Sequence, residues 1–190
     1  MQQRAPLVLL IVLLVIFRLL GAVSPEAFPN FQPLAAVFFC AAAFFGWRML
    51  WVPAVAWLLT LPLTNGMQGF GWSPSVFVAL LGLVLAVWIG WGFRQKRALL
   101  PMLGGAALCA IIGFFAMNCL SWLILPDYPK TFLGFVQAQW TGAPHHGQPT
   151  WVFLRNPLMA NVLFTGLFVL GQRRMSVETA PEPLPAPIER

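Results

Sequence analysis

The sequence predicts an all-α integral membrane protein, a bundle of six transmembrane helices with both termini in the cytoplasm. Three observations support this fold class. The 190 residues are 59% hydrophobic and only 8% charged, whereas a soluble domain carries about 25% charged residues. Six apolar stretches approach the length of roughly 20 residues that a membrane-crossing helix needs. The basic residues fall in alternate connections between these stretches, which is typical of the cytoplasmic side of a membrane.

Caps and helix breakers set the predicted helix boundaries within a single transmembrane domain of residues 1–172. Asn30 is a favoured N-cap residue and begins the second helix, which Gly46 ends. Asn156 followed by Pro157 predicts the start of the sixth helix. The six predicted helices cover residues 6–23, 31–46, 49–63, 74–93, 98–125 and 157–171.

Three segments outside these helices have a distinct composition. Residues 64–74 contain three glycines and predict a loop. Residues 131–140 predict a short amphipathic helix with apolar positions at Phe132, Phe135, Val136 and Trp140. Residues 173–190 are rich in proline and glutamate, so we expect a disordered cytoplasmic tail.

The first apolar stretch has a second interpretation as a cleaved signal peptide. Arg4 resembles the basic start of such a peptide, and Ala22-Val23-Ser24 resembles its cleavage site. Arg18 inside the stretch and Pro25 just after the cleavage site favour a retained helix. Cleavage would leave five helices in the same orientation, so the charge pattern does not decide between the two.

Composition argues against several classes of function. The net charge is +6, but the basic residues are scattered in short turns and form no face that would bind nucleic acid. An enzyme is not predicted, because no nucleophile elbow, P-loop or zinc-protease helix is present and three of the five carboxylates lie in or beside the tail. No cofactor is predicted either.

The potential metal ligands are few. His145 and His146 are adjacent, but the one carboxylate near them in sequence is Asp127, so a solvated loop pair is favoured over a metal site. The cysteines lie inside apolar stretches without a C-x-x-C pair and are interpreted as small buried residues: Cys40, Cys109 and Cys119.

Polar residues of the predicted helices and loops concentrate towards the extracytoplasmic face. Arg18 is the basic residue within a span, where a charge is energetically costly and usually faces protein or a water-filled cavity. The alternatives are that its side chain snorkels to the membrane interface or pairs with Glu26.

The position of these polar residues suggests a ligand pocket that opens outward under the long loop before the sixth helix. Helix N-termini at Asn30 and Asn156 would favour an anionic or carbonyl-bearing ligand. The candidate ligand-binding residues are Arg18, Glu26, Asn30, Gln68, Trp72, Asn118, Trp140, Trp151, Arg155, Asn156 and Asn161.

Two motifs carry a resemblance to known proteins. They are residues 29–36 (PNFQPLAA) and residues 149–156 (PTWVFLRN), the second followed by Leu163-Phe164-Thr165. Together with residues 130–140, they resemble an uncharacterised bacterial family of small integral membrane proteins described as candidate transport proteins. That family is similar to the substrate-binding S components of energy-coupling-factor (ECF) vitamin transporters.

The resemblance implies a six-helix, S-component-like bundle in the bacterial cytoplasmic membrane, with an outward ligand pocket. It also implies docking on a membrane coupling subunit with ATPases. S components often dock through small residues spaced by four on helix one, a spacing that residues 7–20 lack. That spacing occurs instead at Ala36/Cys40, Ala42/Gly46 and Ala106/Ala110.

The predicted function is therefore that of a membrane transport component binding a small solute at its outer face. The predicted partners are the lipid bilayer, the solute and the coupling subunit. The alternative function is a non-catalytic membrane subunit or an assembly factor of a larger membrane complex.

Overall fold

A computed structural model of the chain describes residues 4–24, 27, 30–67, 75–143 and 149–178. These residues form seven α-helices and one short 3-10 helix, with no β-strand among them. The α-helices are α1 (Ala5–Val23), α2 (Leu34–Phe44), α3 (Trp51–Met67), α4 (Ser75–Gly92), α5 (Leu99–Ile124), α6 (Phe132–Gln139) and α7 (Val152–Glu178), and the 3-10 helix (Trp47–Met49) precedes α3.

Among the described residues, four segments are long and apolar enough to span a membrane, in agreement with the predicted all-helical membrane protein. They are Ala5–Val23, Trp47–Met67, Leu99–Ile124 and Val152–Met175. Two shorter apolar helices, Leu34–Phe44 and Val76–Gly92, accompany them.

The two faces of α1 show how the bundle meets its surroundings. Leu7, Leu10 and Leu14 are fully buried against the other helices. Val12 and Ile16 on the other face are exposed, as are several neighbours at helical spacing. A continuous exposed apolar stripe is unfavourable in water but suits contact with lipid chains.

The short helix α2 lies at the centre of the bundle, because it contacts α1, α3, α4, α5 and α7. Ten of its eleven residues are buried. Small side chains allow this close packing: a Cβ placed on Gly90 of α4 would lie 2.5 Å from the carbonyl oxygen of Phe39 and 3.1 Å from the Cβ of Ala42. The small residues of α2 therefore serve packing inside the bundle. As predicted, Gly46 follows the end of α2, with a φ of 69°.

The basic segments meet at one end of the bundle, which we call the basic end. The side chain of Pro6 lies against Gly171. The rings of Phe44 and Phe168 are 5.0 Å apart, and the guanidinium of Arg97 lies 5.3 Å from the ring of Phe44. The basic end thus brings together the start of α1, the end of α2, the α4–α5 connection and the last turns of α7. The other end, which we call the opposite end, carries Ser24, residues 30–33 and α6.

Two helices extend past prolines at which the sequence predicted a boundary. Helix α3 continues through Pro62 to Met67, so residues 64–67 are helical and not part of the predicted loop. Helix α7 begins at Val152 and contains Pro157. Proline removes one N–H and crowds the preceding turn, but membrane helices tolerate it because neighbouring groups satisfy the freed backbone.

Two further boundaries differ from the prediction. The N-cap position of α2 is Pro33, three residues after Asn30, which instead has a positive φ of 55°. At the other end of the chain, α7 runs to Glu178, so residues 173–178 are helical and not part of a disordered tail. Residues 179–190 lie outside the described residues.

Candidate functional site

Arg18 is held in the last turns of α1 by polar side chains from two other segments. One of its terminal nitrogens donates to Thr64 Oγ1 of α3 at 2.9 Å, and the other donates to Gln32 Oε1 at 3.4 Å. Its Nε is buried without a hydrogen-bond partner. Within the described part of the chain no carboxylate pairs with this guanidinium; Glu26, the partner considered from the sequence, lies outside it.

Three aromatic rings pack against one another, two of them on residues next to Arg18 and Gln32 in the sequence. Phe17 lies 5.6 Å from Phe31 and 5.2 Å from Phe164, and Phe31 lies 6.1 Å from Phe164, measured between ring centroids. These rings come from α1, from the segment before α2 and from α7. They form an apolar wall of the kind that lines small-molecule sites.

Asn161 lies at about the same depth as Arg18. Helices α1 and α7 run antiparallel with Phe17 against Phe164, so Arg18, one residue beyond Phe17, lies near the turn of α7 that contains Asn161. Asn161 is 2% exposed, and its Nδ2 has no hydrogen-bond partner. We call these two residues, with Gln32, Thr64 and the three rings, the Arg18 layer.

The Arg18 layer thus holds two buried donors that lack an acceptor. A buried donor without a partner costs about 1–3 kcal/mol, and more when it is charged. Native proteins keep few such groups, and a bound water or ion is one explanation for them. Carboxylate, phosphate or carbonyl oxygens would satisfy both donors, and the charged guanidinium favours an anion.

A second polar group lies nearer the opposite end, beneath α6. Gln139 Nε2 of α6 donates to the sulfur of Cys119 at 3.5 Å. Gln139 Oε1 and Asn118 Nδ2 are buried without partners. Leu103 of α5 lies against Gly166 of α7, so these two residues are at about the same depth. Asn118 is farther along α5 from this contact than Asn161 is along α7. The helical rise per residue therefore places Asn118 about 15 Å closer to the opposite end than Asn161. The predicted residues Asn118 and Asn161 therefore belong to different groups.

The first turns of α7 hold a third group of predicted residues. Arg155 Nε donates to Asn156 Oδ1 at 2.9 Å, and the guanidinium lies 5.5 Å from the ring of Trp151. Asn156 is buried within α7 and is not the N-cap that the sequence predicted. Trp140 is exposed at the end of α6.

The remaining predictions fall as follows. Asn30 is exposed near Gln32. Glu26, Gln68 and Trp72 lie outside the described residues, as do His145 and His146. Within the described ranges there is no group of three or more His, Cys, Asp or Glu residues that could hold a metal ion.

The structure adds Gln32 and Thr64 to the candidate site. Thr64 was assigned to a loop, yet it is buried in α3, where its hydroxyl also donates to the carbonyl of Thr60 at 3.0 Å. Thr60 donates in the same way to the carbonyl of Ala56 at 2.9 Å. The four-residue spacing of Thr60 and Thr64 is the sequence signal that these residues share a helix face.

Helix α6 is fastened to the end of α5 by a small cluster of its own. The rings of Trp122 and Phe135 are 5.6 Å apart, and Trp122 Nε1 donates to the carbonyl of Pro129 at 2.9 Å. Tyr128 is buried with Ala138, and this burial raises the pKa of its phenol above the ordinary value. The short helix that the sequence predicted here therefore lies as a cover over the end of α5.

Lys130 caps the last turn of α5, because its Nζ donates to the carbonyls of Trp122 and Leu125. Lys130→Met should lower the stability of this α5–α6 region by about 1–2 kcal/mol, since both carbonyls lose a charged donor. Hydrogen exchange of residues 119–140 in detergent would measure the effect. Lys96→Met, at the chain's other lysine, is the control and should leave exchange in this region unchanged; equal exchange in the two variants would contradict the capping role.

Comparisons with known proteins leave the function open. No curated protein and no solved structure shows significant similarity to the chain. One family model matches residues 1–182, which is nearly the full length. The chain therefore belongs to the family of unknown function DUF6580.

Proposed function

We propose that this protein is a transport component of the bacterial cytoplasmic membrane that binds a small anionic or carbonyl-bearing solute in the Arg18 layer. One observation carries the proposal: Arg18 Nε and Asn161 Nδ2 are both buried without acceptors, on two antiparallel helices that pack through Phe17 and Phe164. A bound oxygen-rich solute would supply both acceptors, and the rings of Phe17, Phe31 and Phe164 would hold its apolar part.

The proposed topology has six crossings with both termini in the cytoplasm. The basic end carries the start of α1, the α4–α5 connection and the end of α7, so the positive-inside rule assigns it to the cytoplasm. Helix α2 is only about 17 Å long, but protein surrounds it on all sides. Its length therefore does not have to match the thickness of the lipid.

The outward direction of the site follows from this topology. Arg18 lies in the last third of α1, and the segment carrying Gln32 joins α1 to α2 at the opposite end. Solute would enter there, beside the group formed by Trp151, Arg155 and Asn156. The resemblance to S components of ECF transporters supports the same arrangement and adds a coupling subunit with ATPases as the proposed partner.

Arg18→Gln should lower solute occupancy at least about tenfold, because a hydrogen bond from a charged group contributes about 1.5–3 kcal/mol. Asn161→Ala should lower it less. Native mass spectrometry of the full-length protein, purified in mild detergent, would measure the small molecule that remains bound. Arg4→Gln removes the same charge at the basic end and is the matched control.

The solute occupancy and the thermal stability of each variant together decide whether the proposal holds. If Arg18→Gln and Asn161→Ala keep full occupancy while the bundle stays folded, the Arg18 layer is not the binding site. Co-purification from native membranes tests the coupling: ATPases with a coupling subunit support a transport role, whereas a different stable complex would favour a non-catalytic subunit or an assembly factor.

A further inference from the structure

A groove at the basic end is independent of the Arg18 layer. It has a volume of about 470 Å³ and lies where α4 ends and the connection to α5 begins. Three cations contribute to its lining. The lining residues are Trp91, Gly92, Arg94, Gln95, Lys96 and Arg97.

Aromatic rings and the backbone hold the two arginines of this groove in place. The guanidinium of Arg94 lies 4.2 Å from the ring of Trp91, and that of Arg97 lies 5.3 Å from the ring of Phe44. Arg97 Nε also donates to the carbonyl of Arg94 at 2.9 Å. Stacking leaves the edges of a guanidinium free to donate, and prior ordering reduces the entropy that a ligand must remove.

No carboxylate whose side chain the structure describes lies near this groove. Among the residues whose side chains the structure describes, the one carboxylate is Asp127, which follows α5 at the opposite end. Arg48 is a further cation at the basic end, since it follows Trp47, whose ring lies 5.3 Å from that of Trp91. An anion is therefore the ligand that complements this groove.

Tryptophans place the groove at the boundary between lipid and water. Trp47, Trp51 and Trp88 are all exposed towards the basic end, and tryptophan collects at the level of lipid headgroups. An anion at this level, beside an apolar bundle surface, is most directly the headgroup of a phospholipid.

We propose that the groove at Trp91–Arg97 binds the phosphodiester headgroup of an anionic phospholipid. Arg94 and Arg97 donate to the phosphate oxygens, with Lys96 and Arg48 adding positive charge. The acyl chains run along the exposed apolar faces of the neighbouring helices. Basic pockets at the ends of transmembrane helices recognise phospholipids in this way.

The test uses the full-length protein in nanodiscs of phosphatidylcholine containing a graded share of phosphatidylglycerol. Native mass spectrometry counts the phosphatidylglycerol molecules that remain on the protein after release from the disc. Arg94→Gln/Arg97→Gln should lower the apparent affinity at least about tenfold, because both charge-assisted hydrogen bonds to the phosphate oxygens are lost. Lys96→Gln, at an exposed side chain, should lower it by a smaller factor.

The matched control is Arg173→Gln/Arg174→Gln, which removes the same charge from exposed positions at the basic end. It should change the affinity less than about twofold. Equal losses in the two double variants would overturn the proposal, since the effect would then be a general electrostatic attraction between the basic end and the anionic lipid surface. Equal retention of phosphatidylcholine and phosphatidylglycerol would also overturn it. Competition by inorganic phosphate at millimolar concentration would identify a soluble anion as the ligand instead of a lipid.

Discussion

Gly90→Ala should destabilise the bundle by about 3 kcal/mol, the upper end of what overpacking costs, or prevent folding in detergent. The new Cβ would lie 2.5 Å from the carbonyl oxygen of Phe39 and 3.1 Å from its Cα. These are backbone atoms of α2, which is packed on every side and cannot shift away. Unfolding of the purified protein in mixed detergent micelles, followed by tryptophan fluorescence, would measure the loss.

Gly104→Ala is the matched control for this prediction. A Cβ at Gly104 meets nothing within 4 Å, so alanine should leave stability unchanged or raise it by up to about 1 kcal/mol through helix propensity. Adding Ala42→Gly to Gly90→Ala should restore little, because the closest atom belongs to the backbone of Phe39. Full stability of Gly90→Ala would show that α2 and α4 do not approach this closely.

Gly134→Ala should release α6 from α5 while leaving the rest of the bundle folded. A Cβ at this position would clash with the carbonyl oxygen of Pro129. That carbonyl cannot easily move, since it accepts a hydrogen bond from Trp122 at 2.9 Å. We expect hydrogen exchange in residues 126–143 to accelerate at least about tenfold, because this region would then open locally without unfolding of the whole bundle.

The control for Gly134→Ala lies next to it. Leu133 is exposed, so Leu133→Ala should leave exchange in α6 unchanged. Both variants should keep the global unfolding transition of the wild type, because α6 contacts α5 alone among the described helices. Normal exchange in Gly134→Ala, or a global loss of stability, would contradict this account of α6 as a separately held cover.

Hydrophobicity made most of the helices predictable, but their ends were not. The predicted range 98–125 agrees with α5 within one residue at each end, since apolar residues continue without a break between a basic loop and Pro126. Pro62 and Pro157 were interpreted as boundaries, yet both lie inside helices. Proline stops a helix most reliably where water competes for the freed carbonyl, and this competition is weak inside an apolar bundle.

Two residues of the Arg18 layer, Arg18 and Asn161, were predicted from the sequence. A charge inside an apolar stretch pointed to Arg18 from the sequence alone. Its partners Gln32 and Thr64 could not be found in the same way, because contact between residues 14 and 46 positions apart depends on how α1, α2 and α3 pack. The separation of Asn118 from Asn161 likewise depends on the register between α5 and α7, which local sequence does not encode.

The central position of α2 has a consequence for how the protein is made. This helix emerges early from the ribosome, before α4, α5 and α7, which supply much of its packing surface. At eleven residues it is too short to remain stably inserted by its own contact with lipid. Its final placement must therefore wait for the later helices, so that completing the C-terminal half of the chain is a condition for assembling the N-terminal half.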